Sequence, residues 1–447
     1  MSAICGAVGK KASIKVYEML NSMRHRGEDL FFLYQSGEIS CSPKIEDLDV
    51  NEGSNFSLGH SKLLISEKKN EISIEDKYIF IDGQIYDSDM KNKLPDKVLN
   101  LDGEFSLALF NEDEIILGRD YVGSKPLYYL HDDNDTDFVF ASEKKALIKL
   151  GFSDKKIKTL EPYTLLKFDG NLRINSLDRK RPEEANFDVN TLIEKLVFAI
   201  EKRLMDVKKT GILFSGGIDS TLLASLCEKD LVCITVGFRD SYDIREAKKI
   251  ASLLDIDLVV QEFTIEEVKR SLREVCYAIE DISVLNLGVG LPVYLATKIA
   301  KELGLKVVLA GQGADELFGG YHKYLAHKES LNDILWEEFL NISKNNLERD
   351  DKASMANSIS LRLPYLDNEV VEYAFKIPST QKIKNGERKY PLKEAAKKMK
   401  LPKEVYKKEK KAIQYGTGLH KLLKKISRES GLTINEFVSK LKSEVFL

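Results

Sequence analysis

Residues 211–221 read GILFSGGIDST, an apolar strand that runs into two adjacent glycines and then into a helix. Glycine has no Cβ, so backbone N–H groups can approach an anion closely, and the start of the following helix adds its positive dipole end. No Gly-Lys-Ser/Thr follows, so the segment is not a Walker A loop. We therefore predict a phosphate-binding loop whose contact residues are Ser215, Gly216, Gly217, Ser220 and Thr221.

A carboxylate, Asp219, lies inside this predicted anion site and would repel a bare phosphate. Its presence implies a Mg²⁺ ion that bridges carboxylate and phosphate oxygens. A second acidic turn, GQGADELFGGY over residues 311–321, follows the apolar run Val307–Ala310. Ligands of open parallel sheets bind beyond the carboxyl ends of the strands, so we predict that Asp219 and Asp315 hold the metal together. The alternative for Asp315, an acidic residue in the first turn of a helix, does not explain the glycines around it.

The chain changes character near its middle. Up to about residue 175 it predicts short strands separated by turns, with one early helix at Lys15–Met23. The segment Leu177–Asp188 is charged, contains proline and lacks apolar periodicity, which predicts a linker. From Val189 onward, apolar strands alternate with amphipathic helices, which indicates right-handed crossovers and a parallel sheet. We therefore expect two domains, at residues 1–178 and 189–447.

Composition excludes several classes of protein. The chain has 447 residues with 68 Lys and Arg against 71 Asp and Glu, a net charge of −3 that predicts no nucleic-acid partner. No apolar run reaches the roughly 18 residues of a membrane span, so we expect no membrane association. Five scattered cysteines without a C-x-x-C pair argue against a structural zinc site and a disulfide scaffold. A cytoplasmic location is the expectation.

Several sequence blocks follow one another in order along both domains. In the second domain they are FSGGIDST at 214–221, GQGADELFGGY at 311–321, RLPYLD at 362–367 and KKAIQYG at 410–416. In the first domain they are CGAVG at 5–9, HRGED at 25–29, GH at 59–60, DGQIY at 82–86, LDGEFSLAL at 101–109 and FASE at 140–143. Together these blocks resemble asparagine synthetase of the glutamine-hydrolysing type, over nearly the whole chain. The resemblance implies an Ntn-type, glutaminase-like α/β/β/α sandwich followed by an α/β ATP pyrophosphatase (PP-loop) domain.

The resemblance also implies an activity. This family activates a carboxylate with ATP and Mg²⁺, releases AMP and pyrophosphate, and forms an amide, so we expect aspartate as substrate and ammonia or glutamine as nitrogen donor, in a possible homodimer. It implies catalytic roles for Lys410, Asp315 and Gln312. It extends the nucleotide-binding set beyond the first loop to Val236, Gly311 and Gly313. Without the resemblance, the sequence would favour the interpretation that Lys410 is a solvent-exposed lysine in a lysine-rich segment.

The first domain departs from the family in its glutaminase motifs. Four residues precede Cys5, so its nitrogen is an amide that cannot serve as the base unless they are removed. Asp82-Gly83 replaces Asn-Gly, which puts a carboxylate where an oxyanion would develop. Lys62 replaces an arginine and loses the bidentate grip on a substrate carboxylate. We therefore expect an impaired glutaminase-like domain with a structural role, in which Cys5 is a buried strand residue.

One departure concerns the synthetase site, where Gln312 replaces the usual glutamate and removes a charge. Relatives that form β-lactams also depart at this position, so the sequence does not identify the amine that attacks the activated carboxylate. The main expectation is asparagine synthesis. The alternatives are an adenylating ligase or cyclase of the β-lactam synthetase type acting on another carboxylate, and a catalytically silent nucleotide-binding partner protein.

Overall fold

The computed structural model describes residues 2–65, 73–74, 77–87, 90, 94, 97–111, 114–131, 137–327, 330–407 and 413–446. The chain divides into two compact units. The first comprises residues 1–179 together with 355–360, and the second comprises residues 180–354 and 361–447.

The first unit begins with a seven-stranded sheet in the order β11-β9-β10-β1-β4-β2-β3. Its strands are β1 (Ser2–Val8), β2 (Leu30–Gln35), β3 (Glu38–Ser42), β4 (Phe56–Lys62), β9 (Tyr128–His131), β10 (Phe138–Ala141) and β11 (Lys158–Thr159). Helices α1 (Ala12–Ser22) and α2 (Lys144–Lys149) pack on one face over an apolar cluster that includes Cys5 and Val16. These two helices form an outer helical layer of the sandwich.

A second antiparallel sheet, in the order β13-β12-β8-β7-β6-β5, completes the first unit. Its strands are β5 (Ser73–Ile74), β6 (Lys77–Ile85), β7 (Gly103–Asn111), β8 (Glu114–Arg119), β12 (Thr164–Phe168) and β13 (Leu172–Ser176). Between the sheets lies an aromatic core that includes Phe32, Phe80 and Phe140. On the outer face, the 3₁₀ turn Val98–Asn100 packs over Leu107 and Ile116. The expected sandwich is therefore confirmed.

The second unit is built on a five-stranded sheet in the order β16-β15-β14-β17-β18. Its strands are β14 (Lys209–Leu213), β15 (Asp230–Gly237), β16 (Leu258–Glu262), β17 (Val307–Leu309) and β18 (Ser360–Arg362). The pairs β14–β15, β14–β17 and β15–β16 are parallel, which confirms the predicted parallel sheet. The strands β14 and β17 are neighbours, so the loops that follow them meet at the same edge.

Helices surround this sheet and fill the rest of the second unit. They are α3 (Val189–Arg203), α4 (Ile218–Leu226), α5 (Tyr242–Leu254), α6 (Ile265–Ile279), α7 (Val284–Glu302), α8 (Ala314–Phe318), α9 (Leu331–Leu340), α10 (Glu348–Met355), α11 (Asn368–Lys376), α12 (Ser379–Lys382), α13 (Tyr390–Lys398), α14 (Lys403–Lys407), α15 (Ile413–Gly416), α16 (Leu419–Glu429) and α17 (Ile434–Phe446). Among the described residues, no single helix is long and apolar enough to cross a membrane, and only the pair α6 and α7, bent by 105°, meets that criterion jointly.

The N-terminal boundary of helix α7 differs from the boundary that the sequence predicts. The alternation of apolar strands and amphipathic helices predicts a helix at Pro292–Leu303. The helix in fact begins at Val284, where the Ser283 side chain accepts a hydrogen bond from the Asn286 N–H, and Pro292 lies inside it. Burial of the apolar residues on both sides of Pro292 stabilises the continuous helix despite the lost backbone hydrogen bond.

Candidate functional site

The predicted phosphate loop joins β14 to α4. Gly216 has φ +68°, and a Cβ there would lie 2.8 Å from the backbone carbonyl of Glu246, so the position requires glycine on two grounds. Gly217 is the N-cap of α4, a helix of nine residues whose first N–H groups have no partner within the helix. The loop therefore presents backbone donors at the edge of the parallel sheet, as a phosphate site needs.

Two aspartates, each in the first turn of the helix that follows one of these loops, converge on one lysine. Lys389 Nζ donates to both oxygens of Asp219, at 2.8 and 2.7 Å, and lies 2.6 Å from Asp315 Oδ1. Asp219 and Lys389 are buried, with relative exposures of 1% and 6%. Carboxylates that share a single ammonium lie within a few ångströms of each other. The arrangement therefore brings together the two aspartates that the sequence assigned to one metal.

Asp315 and Lys389 line a cavity of about 210 Å³ in the second unit, whereas the buried Asp219 is not one of its lining residues. The phosphate loop lines it, together with Asp315, Lys389 and Lys393. Gly320 allows the close approach of these groups, since a Cβ there would lie 1.8 Å from Asp315 Oδ1 and 2.2 Å from Lys389 Cε. The cavity thus combines backbone donors, carboxylates and ammonium groups, the mixture that a metal–polyphosphate complex requires.

Two carboxylates suit Mg²⁺, which usually binds one or two protein carboxylates plus water and substrate phosphates. No group of three or more His, Cys, Asp or Glu side chains is arranged to hold a metal ion in the part of the chain that the structure describes. The oxygen donors of Asp219 and Asp315 therefore fit a metal that arrives with the nucleotide rather than one held by a protein cage.

The acidic turn after β17 holds two more polar contacts. Gln312 Nε2 donates to Asp350 on α10. Glu316 is 3% exposed and accepts hydrogen bonds from Tyr321 Oη at 2.7 Å and Asn346 Nδ2 at 2.8 Å. Burial raises the pKa of the Glu316 carboxyl, and the neighbouring charge of Asp315 raises it further. Glu316 is therefore held inside the protein, whereas Asp315 reaches the cavity.

Other predicted nucleotide contacts lie further from the cavity surface. The Ser220 hydroxyl accepts the Ser215 N–H at 3.3 Å and donates to the Gly217 carbonyl at 3.2 Å, so it braces the loop. Thr221 is fully buried. Val236 lies in β15 with 6% exposure. None of these three side chains lines the described cavity, whereas Ser215 does.

Two glycines of the second loop allow neighbouring residues to pack closely against its backbone. A Cβ at Gly311 would lie 3.0 Å from Asp219 Cβ. Gly313 caps α8 with φ +89° and packs against Leu366. Lys410 lies outside the described residues.

The residues expected of a glutaminase centre are not all in one place. Cys5 lies in the middle of β1, fully buried, with its Sγ 3.8 Å from the Val16 carbonyl oxygen and 3.9 Å from that of Gly59. Burial raises the pKa of its thiol far above the usual range. This agrees with the expectation of a buried strand residue.

Asp82 lies in β6, and its side chain contacts Ser2, the first residue of β1. Its carboxylate accepts hydrogen bonds from the Ser2 N–H at 3.1 Å, Arg26 Nη2 at 2.8 Å and Ser142 Oγ at 3.2 Å. Lys62 pairs with Ser2 across β1 and β4. Ser2 and Cys5 are three residues apart on one strand, so their side chains point to opposite faces. The structure therefore corrects the grouping of Cys5 with Lys62 and Asp82.

Gly83 follows Asp82 with φ +116°, and a Cβ there would lie 2.0 Å from the Glu104 carbonyl oxygen. This glycine is fixed by the fold of β6 against β7. The packing of these strands alone requires a glycine at position 83, so the presence of Gly83 does not indicate a functional oxyanion site.

The sequence analysis did not single out Lys389, which lies in a lysine-rich part of the chain. Lys389 is the N-cap of α13 in the left-handed region, with φ 53°. It also missed Tyr365, whose hydroxyl donates to the Asp219 carbonyl at 3.0 Å, and Asp350. Nothing in the local sequence separates Lys389 from its neighbouring lysines, because its role arises from a contact 170 residues away.

Comparisons with known proteins agree with these features. The chain matches the asparagine synthase family over residues 191–331 and 325–442, and a glutamine amidotransferase domain over residues 75–149. A putative glutamine-hydrolysing asparagine synthetase of Methanocaldococcus jannaschii is 32% identical, over 100% of this chain and 99% of that protein. Asparagine synthetase B of Escherichia coli is 28% identical, over 90% of this chain and 79% of that protein.

Two solved structures also show similarity. The allosteric regulatory enzyme of purine biosynthesis has a TM-score of 0.32 at 12% identity, over 58% of this chain and 80% of that one. An NH₃-dependent NAD synthetase of Campylobacter jejuni has a TM-score of 0.24 at 17% identity, over 37% and 78%. These scores are too low to support an argument about the site. The sequence matches and the paired nucleotide loops together show that the chain belongs to the asparagine synthase family and is an ATP-dependent amide ligase.

Proposed function

We propose that this protein converts aspartate to asparagine, with ammonia as the nitrogen donor and with AMP and pyrophosphate as products. The observation that carries the proposal is the convergence of Asp219 and Asp315, which follow two neighbouring loops, on the ammonium group of Lys389, which lines the cavity beside the glycine-rich turn. A loop that holds the β- and γ-phosphates as a leaving group favours attack at the α-phosphorus. The reaction therefore differs from simple phosphoryl transfer to the substrate.

The first half-reaction joins the aspartate side-chain carboxylate to the α-phosphorus. A carboxylate oxygen forms a bond to phosphorus, the bond to the β-phosphate oxygen breaks, and pyrophosphate leaves with the electron pair. The loop N–H groups and Ser215 would hold the departing phosphates. Asp219 and Asp315 would hold Mg²⁺, which supplies positive charge for the leaving group. The Lys389 ammonium contacts both carboxylates, so it must share them with the metal or move when the metal binds.

In the second half-reaction, ammonia attacks the acyl carbon. A C–N bond forms, the C–O bond to the phosphate breaks, AMP leaves with the electron pair, and the surplus proton passes to water. The resemblance assigns Lys410 to the acyl-adenylate, where a cation would offset charge on the carbonyl oxygen. Gln312 lies on the same loop as Asp315 and is the nearest polar side chain that precedes it.

Ammonia is favoured over glutamine because of the first unit. An oxyanion site needs N–H donors, and Asp82 is an acceptor whose two oxygens already receive Ser2, Arg26 and Ser142. The thiol of Cys5 is buried under α1, away from Asp82. Glutamine is therefore the weaker candidate for the nitrogen source.

The experiment is a product analysis of the full chain with ATP, Mg²⁺ and aspartate, with ammonium or glutamine added. We expect aspartate-dependent exchange of labelled pyrophosphate into ATP, and asparagine with equimolar AMP once ammonium is present. Asp315→Asn should abolish the exchange, while Asp333→Asn, at an exposed aspartate of α9, should keep it. Formation of ADP and phosphate would refute the proposal. Exchange driven by another carboxylate would favour the cyclase alternative, and no exchange with any carboxylate would favour a silent nucleotide-binding protein.

A further inference from the structure

Gln312 and Asp350 form a polar pair behind the acidic loop of the second unit. Gln312 Nε2 donates to Asp350 Oδ2, and Arg349 Nε donates to Asp350 Oδ1 at 2.8 Å. Asp350 is 1% exposed, whereas Gln312 is half-buried. The charge of Asp350 is therefore paired inside the protein, and Gln312 is the less buried member of the pair.

The pair fixes which way the Gln312 amide points. An ionised carboxylate only accepts hydrogen bonds, so the NH₂ group of Gln312, and not its oxygen, must face Asp350. Arg349 cannot easily release Asp350, because its own Nη1 also donates to the Asn345 carbonyl at 3.2 Å and contacts Asn286 Oδ1 at 3.5 Å. The Oε1 of Gln312 is consequently the end of the amide that is left for another partner.

Residue 312 belongs to the loop that leads from β17 to Asp315. Gly311 comes directly before it and lies against Asp219, with 3.0 Å between Asp219 Cβ and the position of a Cβ on the glycine. Asp315 follows three residues later and lines the cavity. Residue 312 therefore follows a glycine that packs against Asp219 and precedes Asp315 by three positions.

We propose that Asp350 is a positioning residue that holds Gln312 with Oε1 directed at the acyl centre, where it accepts an N–H of the incoming ammonia. This inference rests on the proposed function and specifies its second half-reaction. Gln312 orients the nucleophile and takes no proton, since an amide is not a base at neutral pH; the proton lost from nitrogen passes to water. The C–N and C–O bond changes are those given above.

The same pair explains why residue 312 is glutamine in this chain. A glutamate there would place its carboxylate in hydrogen-bond contact with that of Asp350, and two such groups cannot both ionise. Glutamine keeps an acceptor oxygen for the nucleophile and gives Asp350 a donor. The identities of residues 312 and 350 are therefore coupled, and a change at one should be tolerated only with a change at the other.

The test separates the two half-reactions in Asp350→Asn, Gln312→Glu and the double variant Gln312→Glu/Asp350→Asn. In Asp350→Asn the amide of Gln312 is free to turn, so we expect the KM for ammonium to rise about tenfold, the loss of one oriented hydrogen bond. Aspartate-dependent pyrophosphate exchange should fall much less. Gln312→Glu should lose amide formation at neutral pH and regain part of it at lower pH, when the carboxyl pair takes up a proton. The double variant should recover, because the new amide at position 350 donates to the new carboxylate at position 312.

Asp367→Asn is the matched control, because Asp367 is also a buried carboxylate, paired with Lys202 and Arg203. It should lower thermal stability without a selective rise in the KM for ammonium. Equal losses of exchange and amide formation in Asp350→Asn would overturn the inference, as would a double variant no better than Gln312→Glu. If the unaltered protein shows no exchange, the proposed function itself fails and this role of Gln312 falls with it. An unfolding cycle over the three variants would then still report whether residues 312 and 350 are coupled.

Discussion

The Lys389 ammonium group donates to both carboxylate oxygens of Asp219, at 2.8 and 2.7 Å. The same nitrogen lies 2.6 Å from Asp315 Oδ1, so it occupies the position between the two proposed metal ligands. A cation that binds both carboxylates must share that position or move the ammonium. Metal binding and the placement of Lys389 should therefore be thermodynamically linked.

Replacing Lys389 by methionine tests this linkage. The variant keeps the length of the side chain but leaves two carboxylates without their ammonium, so we expect a loss of about 3 kcal/mol in the free energy of unfolding without metal. Added Mg²⁺ should then raise the melting temperature more than in the unaltered protein, because no ammonium competes for the oxygens. Differential scanning fluorimetry over a Mg²⁺ titration measures both effects.

The control for this experiment is Lys393→Met. Lys393 lines the same cavity, but its partner is Glu387, at 3.3 Å on the surface. Its Mg²⁺ response should match that of the unaltered protein. An identical Mg²⁺ response in Lys389→Met would show that the metal does not bind between Asp219 and Asp315.

Gly320→Ala tests the packing that holds this cluster together. The new Cβ would lie 1.8 Å from Asp315 Oδ1 and 2.2 Å from Lys389 Cε, so one of them must move. We expect pyrophosphate exchange to fall about 10²–10³-fold, as when one preorganised group is lost. Gly53→Ala is the control, because its nearest neighbour beyond the adjacent residues is Asn51 Oδ1 at 3.4 Å. Equal exchange rates in the two variants would contradict the cluster as described.

The parallel sheet and its two loops could be predicted because their determinants are local. A glycine pair after an apolar strand and an aspartate in the next helical turn lie within residues 211–221, and the acidic turn lies within 311–321. The start of α7 could not be predicted, since burial outweighs the local effect of Pro292. Strand β18 was also missed, because a three-residue strand at a sheet edge leaves almost no periodic pattern.

The site was predictable only in part, for a related reason. Asp219 and Asp315 are marked by glycines, which sequence shows directly. Lys389 and Asp350 act through contacts with residues 170 and 38 positions away, and neither carries a local motif. Cys5 was grouped with Asp82 by order along the chain, whereas the alternation of side chains along β1 sends Ser2 and Cys5 to opposite faces.

Acid should destabilise the first unit through His60. The ring stacks between Phe32 and Phe80, at centroid distances of 5.8 and 5.1 Å, and burial lowers its pKa to about 3, with Lys62 adding to the shift. The unfolded chain binds the proton near pH 6.5, so between pH 6.5 and 3 it binds more protons than the folded chain does. Stability should therefore fall by up to about 1.4 kcal/mol per pH unit as the pH drops through this range.

His60→Phe should remove this slope while keeping the aromatic stack. Chemical denaturation of the full chain at several pH values between 3 and 7 gives the slope directly. His25, whose pKa burial also lowers, should leave a residual dependence in the variant. His327→Phe, at an exposed histidine, is the control. A slope unchanged by His60→Phe would mean that the buried ring is not neutral.

Cysteine reactivity provides the last test, which bears on the nitrogen donor. Cys5 is fully buried against the carbonyls of Val16 and Gly59, and burial raises the pKa of its thiol, so almost no thiolate is present at neutral pH. Cys41 is exposed. We expect iodoacetamide to label Cys41 in the folded protein and to leave Cys5 unmodified until the chain is denatured, as read by peptide mass spectrometry.

The glutamine analogue diazo-oxonorleucine should likewise leave Cys5 unmodified and should not inhibit the ammonium-dependent reaction. Cys5→Ala should keep that reaction, while Cys41→Ala serves as the labelling control. Covalent capture of the analogue at Cys5 would contradict both the buried placement and the choice of ammonia, because only a thiol that opens to substrate could react.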